Sequence, residues 1–212
     1  GGTGKTPVVE IFARALAESG RRVAILSRGY KKITPSLGER VRLRISGKRY
    51  GGEPLVVSDS RRLLLDSASS GDEPYMLASN LREVAVLVGK NRVLSGQHAI
   101  RKLNCDTLIL DDGFQYLSLK HRLDIVLVDG TNPFGNRYML PRGILRERIR
   151  NIRRAGFIFI TKCDGGDRTA LREELRALNP QAEISECRHR ARHLQDVFSS
   201  SRRPLEALQG GT

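Results

Sequence analysis

Gly4, Lys5 and Thr6 stand directly ahead of a helical pattern, as the second half of the spacing G-x-x-x-x-G-K-[ST]. These residue types suit a polyphosphate. Backbone N–H groups of Gly1, Gly2, Thr3, Gly4, Lys5 and Thr6, at a helix N-terminus, can cradle phosphate oxygens through unpaired donors and the helix dipole. Lys5 would reach the β- and γ-phosphates, and Thr6 would offer its hydroxyl to Mg²⁺. The first glycine of the spacing would fall before residue 1, so either the loop is degenerate or the chain is a fragment.

A second set of chemical residues lies in "TLILDDGFQYLSL", where an apolar strand delivers Asp111 and Asp112 at its C-terminal end. That is the form of a Walker B element, whose carboxylate holds the Mg²⁺ shell or orients the attacking group. Asp129, in "LVDG", repeats the theme as a weaker rival. In "SGDEPYML", Asp72 taken alone reads as a helix N-cap, with Glu73 and Pro74 in the first turn. "FGNRYMLPRGILRERIR" is a Gly-, Asn- and Pro-rich loop feeding a helix that starts with Arg146 and Glu147. Basic side chains there can neutralise charge on a transferring phosphoryl group. "ITKCD" has Thr161 where a guanine-reading N-K-x-D element has Asn, which removes the amide that contacts the base. Lys162 and Asp164 therefore read as surface residues.

The elements that must position these groups alternate. "KTPVVEIFARALAESG" carries apolar residues at helical spacing, with Pro7 near its start and Gly20 at its end. Short apolar runs at 22–27, 83–88, 106–112, 123–129 and 156–162 read as strands, separated by helical stretches around 94–103, 144–154 and 167–178. The pattern predicts an α/β fold, a mainly parallel sheet flanked by helices. The alternating "VRLRIS" (41–46) and "PLVVSD" (54–59) are expected to pair as a small hairpin insertion departing from the main sheet.

Composition narrows the partners. Thirty-seven Lys and Arg against 23 Asp and Glu give a net charge of +14 over 212 residues, which favours an anionic partner. Aromatic residues are only 5% and Trp is absent, a poor supply for base stacking, so nucleic acid is not expected. Cys105, Cys163 and Cys187 are few and far apart, without paired metal-ligand spacing, as suits structural thiols in a reducing compartment.

Taken in order, "GGTGKTPVVE", "SRGY", "PLVVSD", "SGDEP", "DDGFQYLSLKHRLDIVLVDG" and "FGNRYMLPRGILRE" resemble the tetraacyldisaccharide 4′-kinase family of lipid A synthesis. The resemblance covers residues 1 to about 165 and implies a P-loop NTPase-like fold. It also implies ATP and Mg²⁺ as cofactors, and transfer of phosphate to the 4′-hydroxyl of a tetraacyl glucosamine disaccharide 1-phosphate. By motif, Gly1 to Thr6 bind ATP, and Asp72 is the catalytic aspartate, half of an Asp–His dyad, which displaces the N-cap reading. Thr6, Asp111, Asp112 and Glu147 become the metal-side residues, and Lys5, Arg92 and Arg146 the charged catalytic positions. The expected partners are the lipid disaccharide and an anionic inner-membrane surface, on the cytoplasmic face. The expected domains are a kinase core over 1–190, lacking the start of its loop, and a linker over 191–212 towards a missing C-terminal domain. On this reading the chain is truncated at both ends.

Two departures stand out. Tyr116 sits where the family's "DDG-x-Q-H" has histidine, leaving Tyr116 a site or substrate contact that cannot carry positive charge near neutral pH. None of His98, His121, His189 and His193 lies in a motif matching the dyad histidine, so the fragment is expected to be poorly active. Two other readings stay open: a different P-loop NTPase, such as a GTP-driven chaperone or a synthetase, and a catalytically silent basic binding module. Competition between ATP and GTP separates the first, and failure to bind nucleotide the second.

Overall fold

A computed structural model describes residues 4–28, 53–188, 194–195 and 201–208. The described chain forms two compact units, Gly4–Arg122 and Leu123 onward. The boundary falls inside the stretch 1–190 that the sequence suggests as one core.

In the N-terminal unit the elements run α1 (Lys5–Glu18), β1 (Val23–Ser27), β2 (Leu55–Asp59), α2 (Ser67–Ser70), α3 (Asp72–Asn80), β3 (Ala85–Val88), α4 (Arg92–Leu103) and β4 (Thr107–Leu110). Their sheet has the order β2-β3-β1-β4, with β1 parallel to both β3 and β4. Every residue of β1 and β3 is buried, as expected of strands covered on both faces, and this is why they read as unbroken apolar runs. Alternate residues serve opposite faces. Val23, Ile25, Val84, Val86 and Val88 pack with Ala13 of α1 and with Leu77 and Ala78 of α3. Ala24, Leu26, Ala85 and Leu87 pack with Ala99 of α4 and Cys105. Burying a Val, Leu or Ile side chain contributes about 1.5–3 kcal/mol, and β1 and β3 bury such side chains on both faces.

Local chemistry sets the ends. α1 carries Pro7 in its first turn, where a missing N–H costs nothing. It closes in a Schellman arrangement, Gly20 N–H donating to the Ala17 carbonyl (2.9 Å) and Arg21 N–H to that of Leu16 (3.0 Å). Asn91 caps α4, its side-chain oxygen accepting from Val93 and Leu94 N–H.

Of the two strands expected to form the hairpin, only the second is described. Residues 41–46 lie outside the described residues. Their expected partner, β2, belongs to the main sheet, where among the described residues it stands at the edge, antiparallel to β3, with a register shift between Val56 and Ser58. Val57 is fully buried in the core, and that burial ties the strand to the sheet.

The C-terminal unit contains β5 (Ile125–Asp129), a 3₁₀ helix (Ile149–Arg154), β6 (Phe157–Thr161), α5 (Thr169–Leu178) and β7 (Glu183–Glu186), with β5-β6-β7 all parallel. Val128, Ile152, Ile158, Ile160 and Leu175 form its core. A two-residue pair, β8 (Leu194–Gln195) with β9 (Arg202–Arg203), and a 3₁₀ turn (Leu205–Leu208) follow. The helix expected over 144–154 is only the 3₁₀ segment from Ile149, so Arg146 and Glu147 precede it in irregular chain. β7 was not anticipated, because "EISE" has polar ends and only a short apolar centre.

Candidate active site

Parallel strands end towards the N-termini of the helices that follow them, and the candidate residues of the N-terminal unit gather at such an end. Gly4, in left-handed backbone (φ 76°), leads into α1 and places Lys5 and Thr6 in its first turn. Gly1, Gly2 and Thr3 lie outside the described residues.

β4 continues to Asp111, whose N–H donates to the Leu26 carbonyl of β1 at 3.1 Å. The chain then turns sharply. Asp112 takes φ 52°, and Gly113 comes so close to Leu110 that a Cβ would lie 2.5 Å from the Leu110 Cβ. The "DDG" triplet is thus a strand end and a turn that only glycine fits. It aims two successive carboxylates differently: Asp111 is buried, while Asp112 pairs with the Lys5 ammonium.

Glu73 completes the cluster. The Thr6 hydroxyl donates to its carboxylate, linking the first turn of α1 to the first turn of α3. By sequence Glu73 reads only as a first-turn helix residue. The signal was present in the adjacent acids of "SGDEP", but only the tertiary structure shows which one faces Thr6. Asp72 itself is exposed and is the first residue of α3, preceded by Gly71 (φ 94°), which holds the cap position. The structure therefore corrects the N-cap reading of Asp72.

Burial pushes the Asp111 carboxyl up, and the neighbouring carboxylates of Asp112 and Glu73 push it further, against the pull of Lys5 and Arg92. Such a carboxyl-rich cluster favours a bound cation. Its donors, the Thr6 hydroxyl and the carboxylates of Glu73, Asp111 and Asp112, are all hard oxygens, the type that suits Mg²⁺. Among the described residues no three His, Cys, Asp or Glu side chains form a metal cage by themselves. A Mg²⁺ site of one or two carboxylates completed by phosphates and water has no need of one.

Arg92 plays a part the sequence did not suggest. It is 3% exposed, and its guanidinium donates to the Gly89 carbonyl (2.7 Å) and to the Asp111 carbonyl (3.1 Å). Burial lowers its pKa, opposed chiefly by the charge of Asp111. The side chain braces the ends of β3 and β4, and so acts on the site through Asp111. Tyr116 reaches the Asn91 side chain with its hydroxyl at 3.5 Å, the long limit of a hydrogen bond, and so lies beside the cap of α4.

The remaining candidates belong to the C-terminal unit. Arg146 is exposed. Glu147 accepts hydrogen bonds from Asn151 (2.8 Å) and Arg154 (2.6 Å), contacts that fix the entry to the 3₁₀ helix. Asp129, the rival for the Walker B role, is engaged otherwise: Lys162 Nζ lies 2.5 Å from it, and the Thr131 N–H and hydroxyl also donate to it. Lys162 is thus a surface residue with a defined partner.

Sequence and fold comparisons place the chain among known proteins. The model of the family described as tetraacyldisaccharide-1-P 4′-kinase matches residues 1–210. The tetraacyldisaccharide 4′-kinase of Halothermothrix orenii is 37% identical over 99% of this chain and 54% of its own length. That of Desulfotalea psychrophila is 43% identical over 88% of this chain and 49% of its own. The chain thus spans about half the length of these curated relatives. Among solved structures, that of LpxK from Aquifex aeolicus in complex with ATP superposes with a TM-score of 0.71 at 29% identity, covering 99% of this chain and 57% of that one. The ordered motifs, the α/β fold and the match over nearly the whole sequence lead to one assignment: the chain belongs to the tetraacyldisaccharide-1-P 4′-kinase family.

Proposed function

We propose that this chain carries the phosphate-handling part of a kinase that transfers the γ-phosphoryl group of ATP to the 4′-hydroxyl of a tetraacylated glucosamine disaccharide 1-phosphate, giving lipid IVA. The observation that carries the reading is the convergence on the first turn of α1, where Lys5 meets Asp112 and Thr6 meets Glu73.

The first turn of α1 receives the phosphates at its free N–H groups, with the Lys5 ammonium supplying charge beside them. Thr6, Glu73, Asp111 and Asp112 would hold Mg²⁺, which when bound neutralises charge on the phosphates. Asp72, exposed at the start of α3, accepts the proton of the sugar hydroxyl as its oxygen bonds to phosphorus and the bond to ADP breaks. Arg92 fixes the backbone of Asp111. Because the acceptor is a lipid and the net charge is +14, the working place is the anionic cytoplasmic face of the inner membrane. No helix among the described residues is long and apolar enough to cross a membrane.

Calorimetry with ATP and Mg²⁺, joined to an assay of 4′-phosphate formation, tests the proposal. Lys5→Met is expected to abolish ATP binding, whereas Asp72→Asn leaves binding intact and slows transfer by about 10²–10⁴-fold. ATP binding indifferent to Lys5→Met, or displaced as readily by GTP, would overturn it.

A further inference from the structure

In the C-terminal unit the loop between β5 and the 3₁₀ helix shows an unusual surface. Phe134 is buried in the core and anchors the loop, with the Arg137 guanidinium 5.5 Å from its ring centroid and paired to Glu174. Beyond that anchor Tyr138, Met139, Leu140 and Ile144 are 47%, 43%, 62% and 62% exposed. Isolated exposed apolar residues are ordinary, but four in the stretch 138–144 mark an interaction surface.

The backbone that presents them is tied down. Leu140 N–H donates to the Leu145 carbonyl (2.9 Å), Leu145 N–H to that of Tyr138 (3.2 Å) and Gly143 N–H to that of Met139 (3.0 Å). The Asn136 amide donates to the Arg142 carbonyl at 2.9 Å. Gly143 sits against the Tyr138 carbonyl and the Asn136 side chain, where a Cβ would collide with both. These exposed apolar side chains therefore stand on a formed loop backbone, and little backbone entropy remains to be lost on docking.

Charge identifies the partner. Between Phe134 and Arg148 the sequence has four arginines and one acid, Glu147, and that acid is already paired with Arg154. Arg142, Arg146 and Arg148 are exposed, as is Arg137, whose charge is shared with Glu174, and Arg142 stacks 3.9 Å from the Tyr138 ring centroid. An apolar tip with a cationic collar fits the boundary of a bilayer: aliphatic groups enter the acyl region while guanidinium groups and the phenol stay at the phosphates. We infer that the loop 137–145 docks the protein on an anionic lipid bilayer, with Leu140 and Ile144 entering the acyl boundary. The inference rests on the reading above that the protein works at a membrane.

The chain has no Trp, so Leu140→Trp supplies a single fluorescent reporter at the tip. With phosphatidylglycerol-containing vesicles its emission is expected to shift to the blue and to be quenched by brominated acyl chains; with pure phosphatidylcholine vesicles neither change is expected. In sedimentation with the same anionic vesicles, the double variant Leu140→Ser with Ile144→Ser should partition at least about tenfold more weakly than wild type. Its thermal melt should be unchanged, because both side chains are exposed. Wild type that fails to sediment with anionic vesicles would overturn the membrane reading and this inference together. Equal sedimentation of wild type and the double variant would overturn the loop inference alone. Self-association without lipid, lost in the double variant, would assign the loop to a second copy of the chain and overturn the inference.

Discussion

Arg92 shows how a charged residue can shape its surroundings through backbone. Its planar fork spans two carbonyls, those of Gly89 and Asp111, from a position almost closed to solvent. A lysine keeps the charge but not the fork, so Arg92→Lys leaves one buried carbonyl without its donor. We expect a loss of about 1–3 kcal/mol in chemical denaturation, together with weaker Mg²⁺-dependent ATP binding. Unchanged stability with lost activity would instead place Arg92 in direct contact with phosphate. Glu73 and Asp72 make a related point. They are adjacent and chemically alike, yet one meets Thr6 and the other stays exposed, because successive residues in a helical turn point in different directions.

At the scale of elements, parallel strands end in turns that must be pinned. In the N-terminal unit the turn after β4 is set by Asp112 and by Gly113 packed on Leu110. In the C-terminal unit Lys162, after β6, reaches Asp129 at the end of β5. Burial pushes the Asp129 carboxyl up, but hydrogen bonds from Lys162 and Thr131 outweigh it and hold the pKa at about 2, below the ordinary 3.8. The folded pKa is depressed, so this contact stabilises the unit above pH 3.8, and the contribution is lost as pH falls towards 2. Lys162→Met should raise the Asp129 pKa in a carboxyl NMR titration and move the acid-unfolding midpoint upward. An unmoved titration would show that Thr131 alone holds the carboxylate.

For the whole molecule, net charge is the property that no single contact conveys. A surface of +14 attracts anions in general, and the long-range part of that attraction is screened by salt. Sedimentation with anionic vesicles should therefore weaken steeply as salt rises, until only the apolar part of docking remains. Binding insensitive to salt would assign it to apolar contact alone.

The sequence by itself determined the chemistry on offer and the class of fold. Gly4-Lys5-Thr6 before a helix, two aspartates after an apolar strand and strands alternating with helices are local patterns, fixed by neighbours along the chain. Tertiary structure decided which of these groups meet. Glu73 joins Thr6 across 67 positions and Asp112 joins Lys5 across 107, separations that no local period encodes. It also decided that β2 belongs to the main sheet, that Arg92 braces backbone, and that Asp129 is taken by Lys162. Those outcomes depend on strand order and on which side chains burial leaves unpaired, properties of the packed chain and not of any segment.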